Sequence, residues 1–477
     1  MKEIGQRIFR SAVFWNYLTV ALRSGAAILL LPLILRKLSP DEVGLWYVFL
    51  ALAGMGALLD LGFGNALNRS AGYLWAGADR LLPQGLDLAV RDGGERPEVK
   101  PNYDLLGRLV ATMRWFYLGL GCGLLLLLEL GGGAWIWHKS AGMEHAQMVR
   151  AAWAVFAFGC AFNTMGSLWP NLLTGINGVR EAQKVFLIAL LANYVLSIGG
   201  LLAGWGLWGP VSGQVVMGLL NRLLGRAVFL RLAGPELKYA GRKPDMGLLA
   251  TLWPNSWRVG GVAVGIYLTT LANTLLASAF LSLTETASFG LTLQVGFFLA
   301  QISSVWVLVK MPWFNQLRQL GKTQEIPPVF FARVWLFLLI FGAGSVVLCW
   351  GGDWLLQNLM GARTALLPVP QRAVLLLVVG LETHHSLYRE LVQTNNVNPF
   401  VRPILLTALV SLTLVCLWAP TLGAWALVIG PGLAQLLFNN WWIVREGIKS
   451  LGMEGRTYWA AFFLSFGRLP EFWRAKS

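Results

Sequence analysis

The sequence predicts an all-α integral membrane protein with about twelve transmembrane helices in two pseudo-symmetric six-helix lobes. Hydrophobic residues make up 56% of the 477 residues, charged residues only 13%, and the mean hydropathy is +0.59. A soluble domain usually has about 25% charged residues. The apolar runs average roughly 20 residues, which suits a spanning helix and not the short alternating strands of a barrel. They fall into two groups on either side of one polar segment.

Each apolar run is predicted to be one span. The runs lie near residues 12–35, 44–63, 108–130, 150–170, 184–204, 207–230, 253–279, 287–309, 329–350, 371–393, 400–418 and 421–444. The basic N-terminus leads into the first run as in a signal peptide. Because no clear small-residue cleavage site follows, a retained first helix is predicted.

The basic residues indicate the topology. The formal net charge is +15. With the N-terminus inside, the outer side keeps only Arg36, Lys37, Lys139, Arg150, Arg363 and Arg372. This is the positive-inside pattern, so the charge sets orientation and does not indicate nucleic-acid binding. The sequence thus predicts a multi-pass protein of the cytoplasmic (inner) membrane with both termini in the cytoplasm.

Composition also predicts the domain boundaries. The segment RLAGPELKYAGRKPDMG interrupts the hydrophobicity with Pro, Gly and charge. The predicted parts are an N-terminal lobe at 1–235 with a cytoplasmic loop at 69–107, a linker at 236–252, a C-terminal lobe at 253–445, and a cytoplasmic amphipathic tail at 446–477. The tail's apolar stretch YWAAFFLSF is too short to cross a membrane and suits an interfacial helix.

The two halves echo each other. The first span, with Asn16 and Arg23, leads into LSPDEVGLW at 38–46. The seventh span, with Asn255 and Arg258, leads into LSLTETASFGL at 281–291. Parallel repeats with a substrate site at their interface are common among transporters.

Arg23 and Arg258 are the strongest candidates for substrate binding. A cation at membrane depth costs about 2.5–3.5 kcal/mol, so it usually faces a bundle interior or a watery cavity. Asn16 lies two helical turns before Arg23 and shares its face. We expect both arginines to line one cavity between the halves and to bind phosphate oxygens. The alternative is that each pairs with an internal acid such as Asp60 or Glu382.

The eighth span adds further polar candidates. Gln294 and Gln301 lie seven residues apart, and Lys310 ends the span. Amide side chains can bind sugar hydroxyls, but they can equally join neighbouring helices. Among the tryptophans, some are expected to face a cavity; the candidates are Trp15, Trp46, Trp169, Trp257 and Trp306.

The tenth span predicts ion coupling. Glu382, His385 and Arg389 are spaced three and four residues apart, which predicts one polar stripe on a helix. Such a stripe can relay a coupling ion, H+ or Na+, or it can be an acid–base pair that closes the helix end. Asp60 is a further candidate for ion coupling.

No enzyme signature is present. The sequence has no P-loop, HExxH or GxSxG motif, so neither an ATP-driven pump nor a hydrolase is predicted. No cofactor is expected. Cys122, Cys160, Cys349 and Cys416 lie within apolar runs without paired spacing. They are predicted to be buried packing residues and not disulfide or metal ligands.

One segment resembles a known family. The run at 32–69 contains Val43-Gly44-Leu45-Trp46 and Leu58-Leu59-Asp60-Leu61-Gly62-Phe63-Gly64-Asn65-Ala66. It resembles the first-to-second helix signature of O-antigen-type polysaccharide flippases in the multidrug, oligosaccharidyl-lipid and polysaccharide (MOP) exporter superfamily. Weaker similarity lies at LLTGINGVREAQKV (172–185) and TNNVNPF (394–400). The insertion at 79–104 departs from the family pattern.

The resemblance implies a MATE-like, V-shaped transporter for cell-surface polysaccharide biosynthesis. Such a protein would turn a lipid-linked oligosaccharide, of the undecaprenyl-pyrophosphate type, from the inner to the outer leaflet by alternating access. Membrane lipids would be its other partners. Two alternatives stay open. One is a cation-coupled multidrug exporter, which would favour acidic over basic residues within the membrane. The other is a membrane-embedded glycan polymerase or ligase, which usually has larger outward loops.

Overall fold

The computed structural model describes residues 29–82, 100–239, 242–395 and 399–467, together with positions 15, 19 and 22. The chain divides into two compact units, Met1–Ala263 and Val264–Ser477. Helix α10, given below, begins in the first unit and ends in the second, so Arg258 belongs to the first unit. The lobe boundaries predicted around the 236–252 linker stay a prediction.

Ten helices follow the helical stretch at 29–37 in the described part of the first unit. They are α1 (Pro40–Ala53), α2 (Met55–Leu59), α3 (Phe63–Trp75), α4 (Tyr103–Leu127), α5 (Gly133–Lys139), α6 (Ala146–Gly166), α7 (Leu168–Gly175), α8 (Val179–Leu202), α9 (Trp208–Ala233) and α10 (Met246–Thr269). A π-helical turn, Leu128–Gly132, joins α4 to α5.

Small residues allow close packing in the first unit. Helices α8 and α9 are antiparallel neighbours, and α9 also packs on α6. A Cβ atom added at Gly200 would lie 2.7 Å from the Cα atom of Gly209. Side chains of α3, α4, α7 and α9 form an apolar core that includes Leu109, Leu172 and Phe229. This core fixes the helices that carry the polar sites described below.

The described part of the second unit continues with nine helices. They are α11 (Leu271–Phe280), α12 (Leu283–Leu308), α13 (Met311–Gln319), α14 (Ile326–Trp354), α15 (Val369–Gln393), α16 (Val401–Leu422), α17 (Ala424–Leu437), α18 (Asn439–Ser450) and α19 (Gly455–Phe466). A 3-10 turn, Thr323–Glu325, precedes α14, and a π-helical turn, Leu355–Leu359, follows it. Helices α16 and α17 pack against each other, and α15 packs on α12 and α18.

The echoed segments begin their helices in the same way. The Ser39 hydroxyl accepts a hydrogen bond from the Glu42 amide, and the Glu42 carboxylate accepts one from the Ser39 amide at 2.8 Å. Ser282 and Glu285 form the same capping box at the start of α12. Each box satisfies two backbone donors that a helix start leaves unpaired. The sequence echo therefore encodes the same local structure in each unit.

Helices occupy every predicted span except the first, which lies mostly outside the described residues. Nine helical runs are long and apolar enough to cross a membrane among the residues that the structure describes. They are Pro40–Leu59, Tyr103–Lys139, Ala146–Gly175, Val179–Leu202, Ser256–Phe280, Leu283–Gln319, Thr323–Leu359, Val401–Leu422 and Ala424–Ser450. The predicted spans 207–230 and 371–393 are the helices α9 and α15, which carry several charged residues.

A buried cation stabilises the start of α15. Arg372 is only 2% exposed and forms an ion pair with Asp353. Its guanidinium also donates to the carbonyl oxygens of Leu348, at 2.8 Å, and of Leu367, at 2.8 Å from Nη2. Because its acceptors lie near the end of α14 and just before α15, Arg372 links these two helices within the second unit.

The predicted tail helix is present as α19. It packs on α14, where the Trp335 indole donates to the Phe462 carbonyl oxygen at 2.8 Å. The Tyr388 and Tyr458 hydroxyls lie 3.0 Å apart. Trp459, Phe463 and Leu464 remain exposed on the other face, as an interfacial helix requires. Its position at the membrane surface stays a prediction.

The four cysteines are free thiols. Cys349 is buried, as predicted, and Cys160 is half-buried. The prediction of burial is wrong for Cys122 and Cys416, which are exposed on α4 and α16. An apolar residue on a spanning helix can face lipid as readily as the protein core, which explains the difference.

Candidate functional site

A cavity of about 480 Å³ in the first unit contains Asp60. The chain reaches it through a break between α2 and α3, where Leu61 and Gly62 have φ values of +47° and +77°. A Cβ atom at Gly62 would lie 2.6 Å from the Ser256 carbonyl oxygen, so only glycine fits there. Other polar lining residues come from α6, α7, the junction between them and α9, namely Asn163, Thr164, Ser167, Asn171 and Gln214.

Two neutral donors hold the Asp60 carboxylate. The Tyr117 hydroxyl donates to Oδ1 at 2.5 Å, and the Gly64 amide donates to Oδ2 at 3.1 Å. No ion pair of Asp60 occurs among the described residues. The carboxylate therefore faces a polar cavity without a cation of its own within that part of the chain. Such a group can bind a proton or a metal cation.

A second cavity, of about 520 Å³, lies in the second unit between α12 and α15. It brings together four residues singled out from the sequence, which are Gln294, Gln301, Glu382 and Arg389. Ser304, Thr383 and Ser386 add further polar groups to its wall. The cavity thus combines amides, hydroxyls, one carboxylate and one guanidinium, which can bind a polyhydroxylated or ionic ligand.

Glu382 and His385 face different neighbours. The Glu382 carboxylate accepts a hydrogen bond from the Gln435 amide at 3.4 Å and lines the cavity. The His385 Nδ1 atom lies 2.7 Å from the Asn440 Oδ1 atom, and the side chain is 3% exposed. The single polar stripe predicted for α15 is therefore split. Glu382 and Arg389 share the cavity, whereas His385 is turned toward α18. Three residues fall about 60° short of a full helical turn, so the His385 side chain points in a different direction from that of Glu382.

Arg258 is exposed on α10, and so are Trp253 and Trp257. Among the described residues, the Arg258 guanidinium forms no ion pair with Asp60 or Glu382. A guanidinium and two indoles on one helix can bind phosphate and stack on sugar rings. Trp306, another tryptophan singled out from the sequence, is also exposed.

The other predicted binding residues are placed differently. Asn16 and Arg23 lie outside the described residues, and for Asn255 only the helical backbone is described. Lys310 is the N-cap of α13, with its ammonium group 5.5 Å from the centre of the Trp313 ring. The shared site predicted for Arg23 and Arg258 stays a prediction.

A third cavity was missed from the sequence. It has a volume of about 440 Å³ and is lined by Arg114, Arg222, Arg226, Arg242 and Lys243, together with Trp115 and Trp169. The sequence does contain a signal for this cavity, because Arg114 interrupts the apolar run 108–130 just as Arg23 interrupts the first run. Arg222 and Arg226, four residues apart, lie within the predicted span 207–230.

Comparison with solved structures identifies the architecture. The chain is similar to an inward-facing multidrug resistance MATE family transporter of the MOP superfamily, with a TM-score of 0.61 and 10% identity over 98% of this chain and 100% of that one. It is similar to the lipid II flippase MurJ in an inward closed conformation, with a TM-score of 0.64 and 10% identity over 97% and 92%. A MOP superfamily transporter from Pyrococcus furiosus matches with a TM-score of 0.51 and 14% identity over 94% and 98%.

Comparison of the sequence alone does not identify a family. No protein-family model and no curated protein matches the chain. The structural likenesses nevertheless extend over nearly the whole of each chain. The chain therefore has the fold of the MOP superfamily of membrane transporters.

Proposed function

We propose that the protein is a flippase that moves a polyprenyl-pyrophosphate-linked oligosaccharide from the inner to the outer leaflet of the cytoplasmic membrane by alternating access. The observation that carries this proposal is the exposed Arg258, the single charged residue of α10, beside the exposed Trp253 and Trp257. A permanent cation in such a place is costly without an anionic ligand. The likeness to MurJ, named a lipid II flippase, supports the same class of substrate.

The proposed roles follow from the chemistry of each group. Arg258 and Arg23 bind the pyrophosphate, because the planar guanidinium matches phosphate oxygens. Asn16, Asn255 and Lys310 are assigned to the same substrate. Gln294 and Gln301, which share a cavity wall, bind sugar hydroxyls as neutral donors and acceptors.

Ion coupling is assigned to the carboxylates. Asp60 and Glu382 each line a cavity of their own unit and have only neutral hydrogen-bond partners among the described residues. Uptake of H+ or Na+ on such a carboxylate changes the charge of the cavity, which can favour one conformation over another. His385, predicted to join this relay, contacts Asn440 and would act on Glu382 only through α15.

The proposal is tested by deleting the gene in the native host and locating the lipid-linked glycan. Radiolabelled oligosaccharide should accumulate on its carrier lipid and stay inaccessible to reagents added outside intact spheroplasts. Expression of the wild-type chain should restore access. If the glycan reaches the outer leaflet normally in a strain without a second flippase, the proposal is wrong.

A second candidate function is a cation-coupled multidrug exporter. The cavity carboxylates Asp60 and Glu382 favour it, because a cationic drug and a coupling cation can compete for one acidic group. The likeness to a multidrug resistance MATE transporter is consistent with it. In that case the deletion strain would become sensitive to cationic dyes, with its lipid-linked glycan distributed normally.

A further inference from the structure

The third cavity of the first unit, called the basic cleft below, is exceptional in its charge. Five cations line it, and none of its described lining residues is acidic. Arg242 is neutralised by Asp104, with 2.8 Å between Nη1 and Oδ1. No carboxylate lies within ion-pair distance of Arg114, Arg222 or Arg226 in the described part of the chain. The cleft therefore has a surplus of positive charge.

Arg222 lies at the centre of this surplus. It is close enough to Arg114 and Arg226 to experience the repulsion of both. Its guanidinium stacks over the Phe162 ring, 4.2 Å from the ring centre, while its Nη1 atom is buried without a hydrogen-bond partner among the described residues. A buried donor without a partner costs about 1–3 kcal/mol, and more when it is charged. An anion in the cleft would satisfy this donor and reduce the repulsion at once.

The depth of the cleft in the bilayer restricts what that anion can be. Arg114 follows the start of α4 at Tyr103 by three helical turns, or about 16 Å. The continuous helical run Tyr103–Lys139 contains 37 residues. That corresponds to about 55 Å, whereas the hydrocarbon layer is about 30 Å thick. When the excess length is shared between both ends, Arg114 lies near the edge of the hydrocarbon layer, next to the lipid phosphates.

The rim of the cleft is apolar and faces outward. Trp115 and Leu118, which line the cleft on α4, are 58% and 39% exposed. Leu223, beside Arg222 in the sequence of α9, is 57% exposed. Large exposed apolar side chains on spanning helices contact acyl chains. Trp169 forms part of the wall and is held by packing on Phe229, with 5.7 Å between ring centres.

We infer that the basic cleft binds the phosphate headgroup of an anionic phospholipid of the surrounding bilayer. Arg114, Arg222 and Arg226 contact the phosphate oxygens, and the acyl chains run along the exposed apolar rim. Phospholipid is the occupant because the cleft joins cations at headgroup depth to a surface that suits acyl chains. The inference does not depend on which substrate the protein transports.

The test uses the full-length protein in detergent and native mass spectrometry. Dioctanoyl phosphatidylglycerol is titrated against wild type, Arg222→Gln/Arg226→Gln and Arg231→Gln. Arg231 is the matched control, because it is exposed on the same helix and is not among the residues that line the cleft. We expect the double variant to bind phosphatidylglycerol about tenfold more weakly than wild type. The control variant should match wild type, and zwitterionic dioctanoyl phosphatidylcholine should bind all three proteins equally and weakly.

Other outcomes would overturn the inference. Equal phosphatidylglycerol affinity in the double variant and the control means that the cleft is not the site. If the double variant does not fold, the single variant Arg226→Gln is titrated instead, and we expect its phosphatidylglycerol affinity to be about threefold lower than that of wild type. Inorganic pyrophosphate that displaces the lipid with equal affinity would exclude a contribution from the acyl chains. Tighter binding of a polyprenyl diphosphate, lost in the same variants, would assign the cleft to the carrier lipid instead.

Discussion

The hydroxyl of Tyr117 donates a hydrogen bond to the Asp60 carboxylate at 2.5 Å, across 57 positions of the sequence. Tyr117 is completely buried, and Asp60 sits in the helix break beside Gly62. A buried hydroxyl with a charged acceptor contributes more than an ordinary hydrogen bond, about 1.5–3 kcal/mol. The pair therefore holds the carboxylate at one point of the cavity wall.

Substitution of Tyr117 tests this link. We expect Tyr117→Phe to destabilise the protein by about 1.5 kcal/mol, because the carboxylate loses its strongest donor while the ring stays in the core. Transport should fall as well, since Asp60 is no longer held. The measurements are SDS-induced unfolding and flipping in proteoliposomes. In a double-mutant cycle with Asp60→Asn, the two effects should not add. Additive effects would show that the two residues act separately.

Arg258 should be essential for transport and not for folding. Because its guanidinium is exposed, Arg258→Ala should leave the thermal stability within about 0.5 kcal/mol of wild type. We expect that variant to abolish glycan export. Arg258→Lys keeps the charge, loses the planar fork and should retain part of the activity. Export at the wild-type rate by Arg258→Ala would remove this residue from the site.

The pH dependence of transport should depend on Glu382. A carboxyl that takes up and releases a proton in each cycle needs both states, and Glu382→Gln fixes it in a neutral one. We expect that variant to flatten the pH–rate profile in proteoliposomes. His385→Gln is the comparison on the same helix. It should keep the profile and lower stability, because it disturbs the contact with Asn440. A flattened profile in His385→Gln alone would transfer the coupling role to the histidine.

Arg372 should be essential for stability and not for transport chemistry. Arg372 is buried although Asp353 is partly exposed, and loss of the guanidinium leaves the carbonyl oxygens of Leu348 and Leu367 without this donor, at about 1–3 kcal/mol for each buried group. Arg372→Ala should therefore lower the unfolding temperature markedly, with Arg372→Lys in between. Arg363, an exposed arginine before the same helix, provides the control Arg363→Ala. Equal unfolding temperatures for the two alanine variants would contradict this assignment.

Local signals in the sequence account for most of the fold. The apolar runs predicted helices that the structure shows, and the echoed segments at 38–46 and 281–291 each contain a helix start with the same capping box. The MOP-type fold implied by the resemblance of the run 32–69 was confirmed. The O-antigen type of substrate stays a prediction, because substrate choice depends on a few side chains and not on the helical scaffold.

The sites were harder to predict, since they depend on rotation and on long-range packing. His385 and Glu382 are three residues apart, yet they contact different helices. The basic cleft joins Arg114 to Arg222, which are far apart in the sequence. Hydropathy detects that each residue is unusual, but only the packing of α4 on α6 and of α6 on α9 places them together.

The two exposed thiols, Cys122 on α4 and Cys416 on α16, belong to different compact units. They are native attachment points for paramagnetic labels, and the less accessible Cys160 and Cys349 would react more slowly. Pulsed electron resonance on the doubly labelled wild-type chain can therefore measure inter-unit distances without an introduced mutation. A distance distribution that changes when substrate is added would show that the two units move relative to each other.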